Sequence, residues 1–167
     1  MSTPATKLLP RALELRREFD RSFALAPSAG ETARIELLAI SVAANQFALR
    51  LSDVAGIYAD KRITRVPGAA PSMLGIAGFR GSIAPIYDLA RLMGQPQSHA
   101  PRWLVVARAA PIAIAFDGFD GQLRLTADAI KPQQSRDAHD YTKEFAQTEG
   151  GLRPIIDLQM VIETIKA

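Results

Sequence analysis

The sequence predicts a mainly β fold made of two similar half-domains with short helices, and three observations carry that prediction. Gly81-Ser82-Ile83-Ala84-Pro85-Ile86-Tyr87-Asp88-Leu89 and Gly150-Gly151-Leu152-Arg153-Pro154-Ile155-Ile156-Asp157-Leu158 share the pattern G-x-φ-x-P-I-x-D-L, with φ apolar. A second echo aligns residues 47–56 on 112–121 without gaps. The two echoes keep their order at offsets of 65 and 69 residues, too long and too few for a solenoid. Third, from residue 32 onward short apolar or alternating runs are separated by turn residues. About five such runs per half leave little room for crossover helices, which favours antiparallel barrels over a parallel sheet. Two related lobes leave a groove between them, and function is expected there.

Along the chain, Ala12, Leu15, Phe19 and Phe23 recur at helical spacing between Pro10 and Leu25, predicting an amphipathic helix. Pro27 and Gly30 end it, so residues 1–31 read as helix and linker and 32–167 as the main domain. Strands are predicted at 35–42, 46–51, 57–66, 74–79 and 82–87, then at 102–106, 112–116, 122–125, 144–147 and 152–156. Phe47, Leu49 and Leu51 alternate with Ala48 and Arg50, as Ile112, Ile114 and Phe116 do with Ala113 and Ala115, giving each strand an inward face. Asp88 and Asp157 are suited to cap short helices at 89–93 and 158–162, with Gly94 at the end of the first. Pro85 and Pro154 lack the N–H a central strand needs, so an exposed edge is expected at both places. The polar stretch 131–141 reads as a mobile surface loop.

Composition narrows the function. The chain has 167 residues, 48% hydrophobic and 22% charged, enough for a sizeable core. No apolar run is long enough to span a bilayer, and the first fifteen residues lack a signal-peptide core, so a cytoplasmic location without direct membrane insertion is expected. Without cysteine there is no thiol nucleophile and no Cys-ligated metal. The net charge of +3 comes from 20 basic against 17 acidic side chains, so it argues weakly for nucleic acid. The densest basic cluster, Lys61, Arg62 and Arg65, has no aromatic interleaving apart from Tyr58 and reads as a solvated loop.

No catalytic constellation emerges. The repeat-related Asp88 and Asp157 suggest a carboxylate dyad, but Leu89-Ala90 and Leu158-Gln159 follow them instead of the tight turn such a dyad needs, and capping explains both. His99 and His139 have no partner spacing for a metal, and Asp117-Gly118 and Asp120-Gly121 read as turn dipeptides. Catalytic, cofactor and metal residues are therefore all expected to be absent. Arg80 is less easily dismissed, because it stands between Phe79 and Gly81 at the tip of a hydrophobic hairpin, with Glu149 as its counterpart in the second half. Arg80 beside an exposed Phe79 is the composition of an interface anchor.

At these residues the chain resembles the CheW-like family of chemotaxis coupling proteins. The resemblance runs from about Ile35 to the C-terminus and is strongest at Phe47–Leu51, Ile63–Pro67 and Gly75–Leu89, where the family typically reads G-V-x-N-L-R-G-x-I-x-P-V-x-D-L. A second block extends from Phe116 to Ile130. The resemblance implies two intertwined five-stranded SH3-like β-barrels and no catalysis. It also implies two partners, the cytoplasmic tip of a chemoreceptor and the regulatory domain of a CheA-type histidine kinase. By position Arg80 corresponds to the family's interaction arginine, with Gly78 and Phe79 beside it and Val54, Ile57 and Phe79 on strands bordering the receptor groove. Gly78 stands where Asn is usual, Phe79 where Leu is, and Gly56 where Glu is frequent. Two alternatives stay open: an adaptor for another chemosensory output, such as surface motility or a second messenger, and a small β-barrel nucleic-acid binder using Lys61, Arg62 and Arg65.

Overall fold

The computed structural model describes residues 33–96, 101–134 and 141–167. The helix expected at 10–25, His99 and His139 lie outside them. The first half forms β1 (Arg34–Val42), β2 (Asn45–Arg50), a 3-10 turn at Leu51–Asp53, β3 (Val54–Ala59), β4 (Met73–Phe79), β5 (Ser82–Asp88) and the short helix α1 (Leu89–Leu92). The second half forms β6 (Trp103–Ala107), β7 (Ala113–Phe116), β8 (Gly118–Thr126), a 3-10 turn at Ala127–Ala129, β9 (Ile130–Pro132), β10 (Thr142–Thr148), β11 (Gly151–Ile156) and α2 (Leu158–Lys166).

The halves do not form separate sheets. The first sheet runs β8-β1-β2-β11-β10-β9 and the second β3-β6-β7-β5-β4, so each half lends two strands to a sheet that the other half completes. In both sheets the edge strands follow one another in the chain, β8 then β9 and β3 then β4, which lets each sheet curl into a barrel. The exchange is made by one parallel pairing per sheet. Ile155 lies opposite Ala48 in the first, and Ile86 opposite Ala113 in the second. These pairs are related by the same offsets as the sequence echoes, so the repeat is a structural register. Pro154 and Pro85 each stand one residue before the parallel pairing begins, where the other side of the strand is still an edge and no N–H is needed.

The alternation along β2 and β7 resolves into two buried faces. Phe47, Leu49, Ile112, Ile114 and Phe116 join Leu38, Ile40 and Val105 in a cluster that draws on both halves and on α2 through Leu158, Val161 and Ile162. Their alternates point into the barrels: Ala48 with Leu37, Ala146 and Ile155 in the first, Ala113 and Ala115 with Ala77, Phe79, Ala84, Ile86 and Leu104 in the second. On β2 and β7 the barrel-facing residues are alanines, which leave room inside for Leu37, Ile155, Phe79, Ile86 and Leu104, and the large alternates fill the seam between the barrels. Burial of each large seam side chain contributes about 1.5–3 kcal/mol, so the two lobes share one core.

Several boundaries differ from those expected. The third strand spans Val54–Ala59 where 57–66 was predicted, because its continuation leaves the sheet as an irregular connection touching β4 through Thr64 and Ile76. Asp120-Gly121 is no turn: Ala39 pairs with Gly121 and Ile40 with Phe119, so Asp120 is the extra residue of a β-bulge that Gly121 permits at φ 122°. The supposed loop at 131–141 begins as strand, since Ile130, Lys131 and Pro132 pair with Ala146, Phe145 and Glu144, and Tyr141 at its far end is buried. That closing strand has only three residues, so it pairs with β10 and packs Ile130 on the core without a run long enough to announce it.

Candidate functional site

The β4–β5 hairpin is closed by Arg80 and Gly81, with Phe79 paired to Ser82. Both turn residues have positive φ, 46° for Arg80 and 86° for Gly81, as a type I′ turn requires. Glycine adopts this conformation freely, whereas arginine in the left-handed region costs roughly 1 kcal/mol. The counterpart hairpin avoids the strain: Thr148 pairs with Gly151, and the positive φ falls on Gly151 and not on Glu149. Arg80 is exposed and makes no ion pair or side-chain hydrogen bond with another described residue.

The other expected contact residues divide between surface and interior. Gly78 is exposed, and a side chain there would meet nothing within 4 Å. Phe79, expected to face solvent beside Arg80, is only 6% exposed and packs inside the second barrel with Ala77, Ile86 and Leu104. Strand alternation explains the correction: Gly75, Ala77 and Phe79 share the inward face of β4, and Phe79 is the last inward position before the turn. Val54, 5% exposed, belongs to the seam, and half-buried Ile57 packs against it. Val54 and Ile57 lie on β3, at the opposite edge of the sheet from β4. The structure thus brings Gly78, Phe79 and Arg80 together on one hairpin, while Val54 and Ile57 turn to the seam and the next residue, Tyr58, packs with Phe79 in the second barrel.

Two residues not singled out from the sequence stand out on the surface. Ile83 is 70% exposed and Leu152 67%, the most exposed large apolar side chains among the described residues. They are the two φ positions of the repeated pattern, each on the strand leaving a hairpin, at the edge that Pro85 and Pro154 mark. The signal was present: Ala84, Ile86 and Asp88 alternate inward, so an apolar residue at 83 had to face out. Ile83 is the third residue beyond Arg80 and pairs with Gly78, so the same hairpin carries an exposed cation and an exposed apolar side chain.

The basic cluster is not a uniform solvated patch. Arg62 and Arg65 are exposed, but the Lys61 ammonium donates to the Gly78 carbonyl at 3.0 Å and lies 5.2 and 5.3 Å from the ring centroids of Tyr58 and Phe79. Neighbouring Asp60 is held by the Arg102 guanidinium at 3.0 Å.

The capping aspartates hold backbone, as expected, in two electrostatic settings. Asp88 is 2% exposed; one carboxylate oxygen accepts from the Ala90 N–H at 3.0 Å, and Arg91 approaches the other at 3.6 Å. Burial pushes the Asp88 carboxyl above the usual range, against the pull of the helix N–H groups and Arg91. Asp157 accepts from the Gln159 N–H at 2.9 Å and the Met160 N–H at 3.3 Å, and Lys143 reaches it at 2.5 Å. Burial pushes this carboxyl up too, but Lys143 and the helix N–H groups outweigh it and hold it below the usual range. The two carboxylates cap different helices at corresponding places in the two halves, so nothing draws them into a dyad.

Residues 36–166 match the sequence profile of the CheW-like domain. The Thermotoga maritima chemotaxis protein CheW is 25% identical over 134 residues, 78% of this chain and 89% of that protein. A probable chemotaxis protein CheW of Rhizobium etli is 26% identical over 116 residues, covering 67% and 74% respectively. The crystal structure of the scaffolding protein TtCheW from Thermoanaerobacter tengcongensis matches with a TM-score of 0.68 at 20% identity, over 75% of this chain and 90% of that one. That likeness speaks to the fold: mainly β, two exchanged sheets and few helices. With the profile spanning most of its length, the chain belongs to the CheW-like domain family.

Proposed function

We propose that this protein is a non-enzymatic scaffold of chemosensory signalling, coupling the cytoplasmic tip of a chemoreceptor to the regulatory domain of a CheA-type histidine kinase. The observation that carries this reading is Arg80, an arginine kept in a costly left-handed turn, exposed, and without a partner among the described residues. Ala43, Ala44 and Asp60 also take positive φ, so it is the exposed, unpartnered guanidinium at the hairpin tip, more than the strain, that suits an external contact. Ile83 on the same hairpin supplies exposed apolar area, and arginine with apolar surface is the usual make-up of an interface anchor. The mechanism is positional: holding receptor and kinase in one assembly lets a small receptor shift bias the kinase without any chemistry on the scaffold. A cytoplasmic location, with recruitment to receptor assemblies, goes with this role. Nucleic-acid binding is less well supported, because Lys61 is spent on Gly78 and two aromatic rings.

Co-sedimentation with a receptor cytoplasmic fragment and a kinase regulatory domain from the same genome tests the reading. Arg80→Glu is expected to weaken the assembly by more than about tenfold while the thermal melt stays within a few degrees. Unchanged co-sedimentation overturns the assignment.

A further inference from the structure

β3 and β4, the two edges of the second sheet, close their barrel differently from the edges of the first. In the first sheet, β9 and β10 form a three-pair ladder through Ile130, Lys131 and Pro132. In the second, the corresponding place holds an isolated bridge, the reciprocal hydrogen bonds of Thr64 and Ile76 at 2.9 Å. Thr64 corresponds to Lys131 there, since Ile76 and Phe145 are related by the repeat. The hairpin carrying Glu149 is therefore anchored along a neighbouring strand, and the hairpin carrying Arg80 has less backbone to hold it.

Side chains take over toward the Arg80 tip. Tyr58 of β3 meets Phe79 of β4 edge to face, with ring centroids 4.9 Å apart at 62°. The Lys61 ammonium lies over both rings and donates to the Gly78 carbonyl, two residues before Arg80. One absent side chain shapes this arrangement. At Gly56 a Cβ would stand 3.0 Å from the Tyr58 ring and hydroxyl, so glycine gives the ring its place.

We propose that Lys61 is the positioning residue of the Arg80 hairpin, pinning the tip to β3 and so fixing the direction in which Arg80 is presented. This rests on Arg80 being the contact proposed above. A strained turn on an edge hairpin has other conformations within reach, and each one lost to binding lowers affinity by the fraction of time spent in it. Lys61 is half-buried with its charge already engaged, so its effect passes through the hairpin and not through the partner.

The test measures binding of the receptor fragment and the kinase regulatory domain, alongside amide exchange across the domain, for Lys61→Met, Lys61→Arg, Arg80→Ala and the Lys61→Met/Arg80→Ala double variant. Methionine keeps the stem over the rings and removes the donor and charge. It is expected to weaken binding about tenfold and to speed exchange at Phe79–Ser82, with Lys61→Arg restoring both. In the Arg80→Ala background Lys61→Met should add nothing. Additive losses mean that Lys61 touches the partner itself and overturn the positioning role. Full affinity in Lys61→Met, where Arg80→Ala is weakened, also overturns it but leaves the scaffold reading standing. Full affinity in Arg80→Ala overturns the contact reading and this proposal with it. A Lys61→Met chain that misfolds, or exchanges faster throughout, makes Lys61 a stability residue and overturns the positioning role as well.

Discussion

The two lobes share a skeleton down to single hydrogen bonds and differ at their tips. The Asp88 N–H donates to the Ser72 carbonyl and the Asp157 N–H to the Tyr141 carbonyl, both at 2.8 Å and both 16 residues back along the chain. The parallel pairings, edge prolines and helix caps correspond in the same way. The hairpins do not: one turn carries a strained arginine and the other a relaxed glutamate. One tip is steadied by Lys61 and aromatic rings, the other by a ladder. Where the halves agree, the exchange of strands demands it, because an error in one parallel pairing would misplace strands of both barrels. Where they differ, the fold makes no demand, and each tip is free to acquire its own contacts.

The shared skeleton predicts that damage to the seam is felt equally from either side. Leu49→Ala and Ile114→Ala remove equivalent side chains that are fully buried in one cluster. Each is expected to cost about 2–5 kcal/mol, with unfolding still a single transition. Urea titrations followed by Trp103 fluorescence, which reports on β6, and by far-ultraviolet circular dichroism should give coincident midpoints. Separate midpoints would mean that the lobes unfold independently and that the seam joins them less tightly than its packing suggests.

The helix caps predict the opposite, a difference between equivalent residues. Asp157 has its carboxyl lowered in the fold, so its contribution is present above the unfolded value of about 3.9 and is lost as pH falls through the lower folded value. Asp88 has its carboxyl raised, so the native state holds the proton more tightly, and stability declines as pH rises from about 3.9 through the higher folded value. Asparagine caps nearly as well as aspartate and carries no charge. Asp157→Asn should therefore cost up to about 1 kcal/mol at pH 7, limited by the half-exposed Lys143, and the cost should fade on acidification. Asp88→Asn should be neutral or slightly stabilising at pH 7, with the opposite slope. Melts from pH 3 to 7 measure both, and parallel profiles for the two variants would refute the contrast.

Much of this skeleton was legible in the sequence, because a duplicated motif writes its register twice. Pro85 and Pro154 marked the edges, and Asp88 and Asp157 marked the helix starts. The strand exchange could not be read from periodicity, since pairing Ile86 with Ala113 or with a residue of its own half satisfies the same alternation. β9 was missed because its three residues pair with β10 through the backbone and only Ile130 packs on the core, too short a run to show a period. At the candidate site Arg80 was legible from its place between two apolar runs. Phe79 was misjudged because adjacency in sequence to an exposed turn was given more weight than strand alternation. The contacts of Lys61 were hidden, since a lysine in a basic loop gives no sign that the Gly78 carbonyl and the Tyr58 and Phe79 rings will surround it.

The smallest effect separates stability from function at the tips. Arg80 occupies φ 46°, where glycine is unstrained, so Arg80→Gly should stabilise the fold by about 0.5 kcal/mol after the extra entropy lost by glycine is counted. Glu149 has no positive φ, and Glu149→Gly should bring no gain and cost a few tenths of a kcal/mol. Denaturant midpoints compared with binding to the receptor fragment give the readout: Arg80→Gly should be the more stable chain and the weaker binder. A residue selected for the fold would show both quantities falling together. A rise in one against a fall in the other means that the hairpin gives up stability to present its guanidinium.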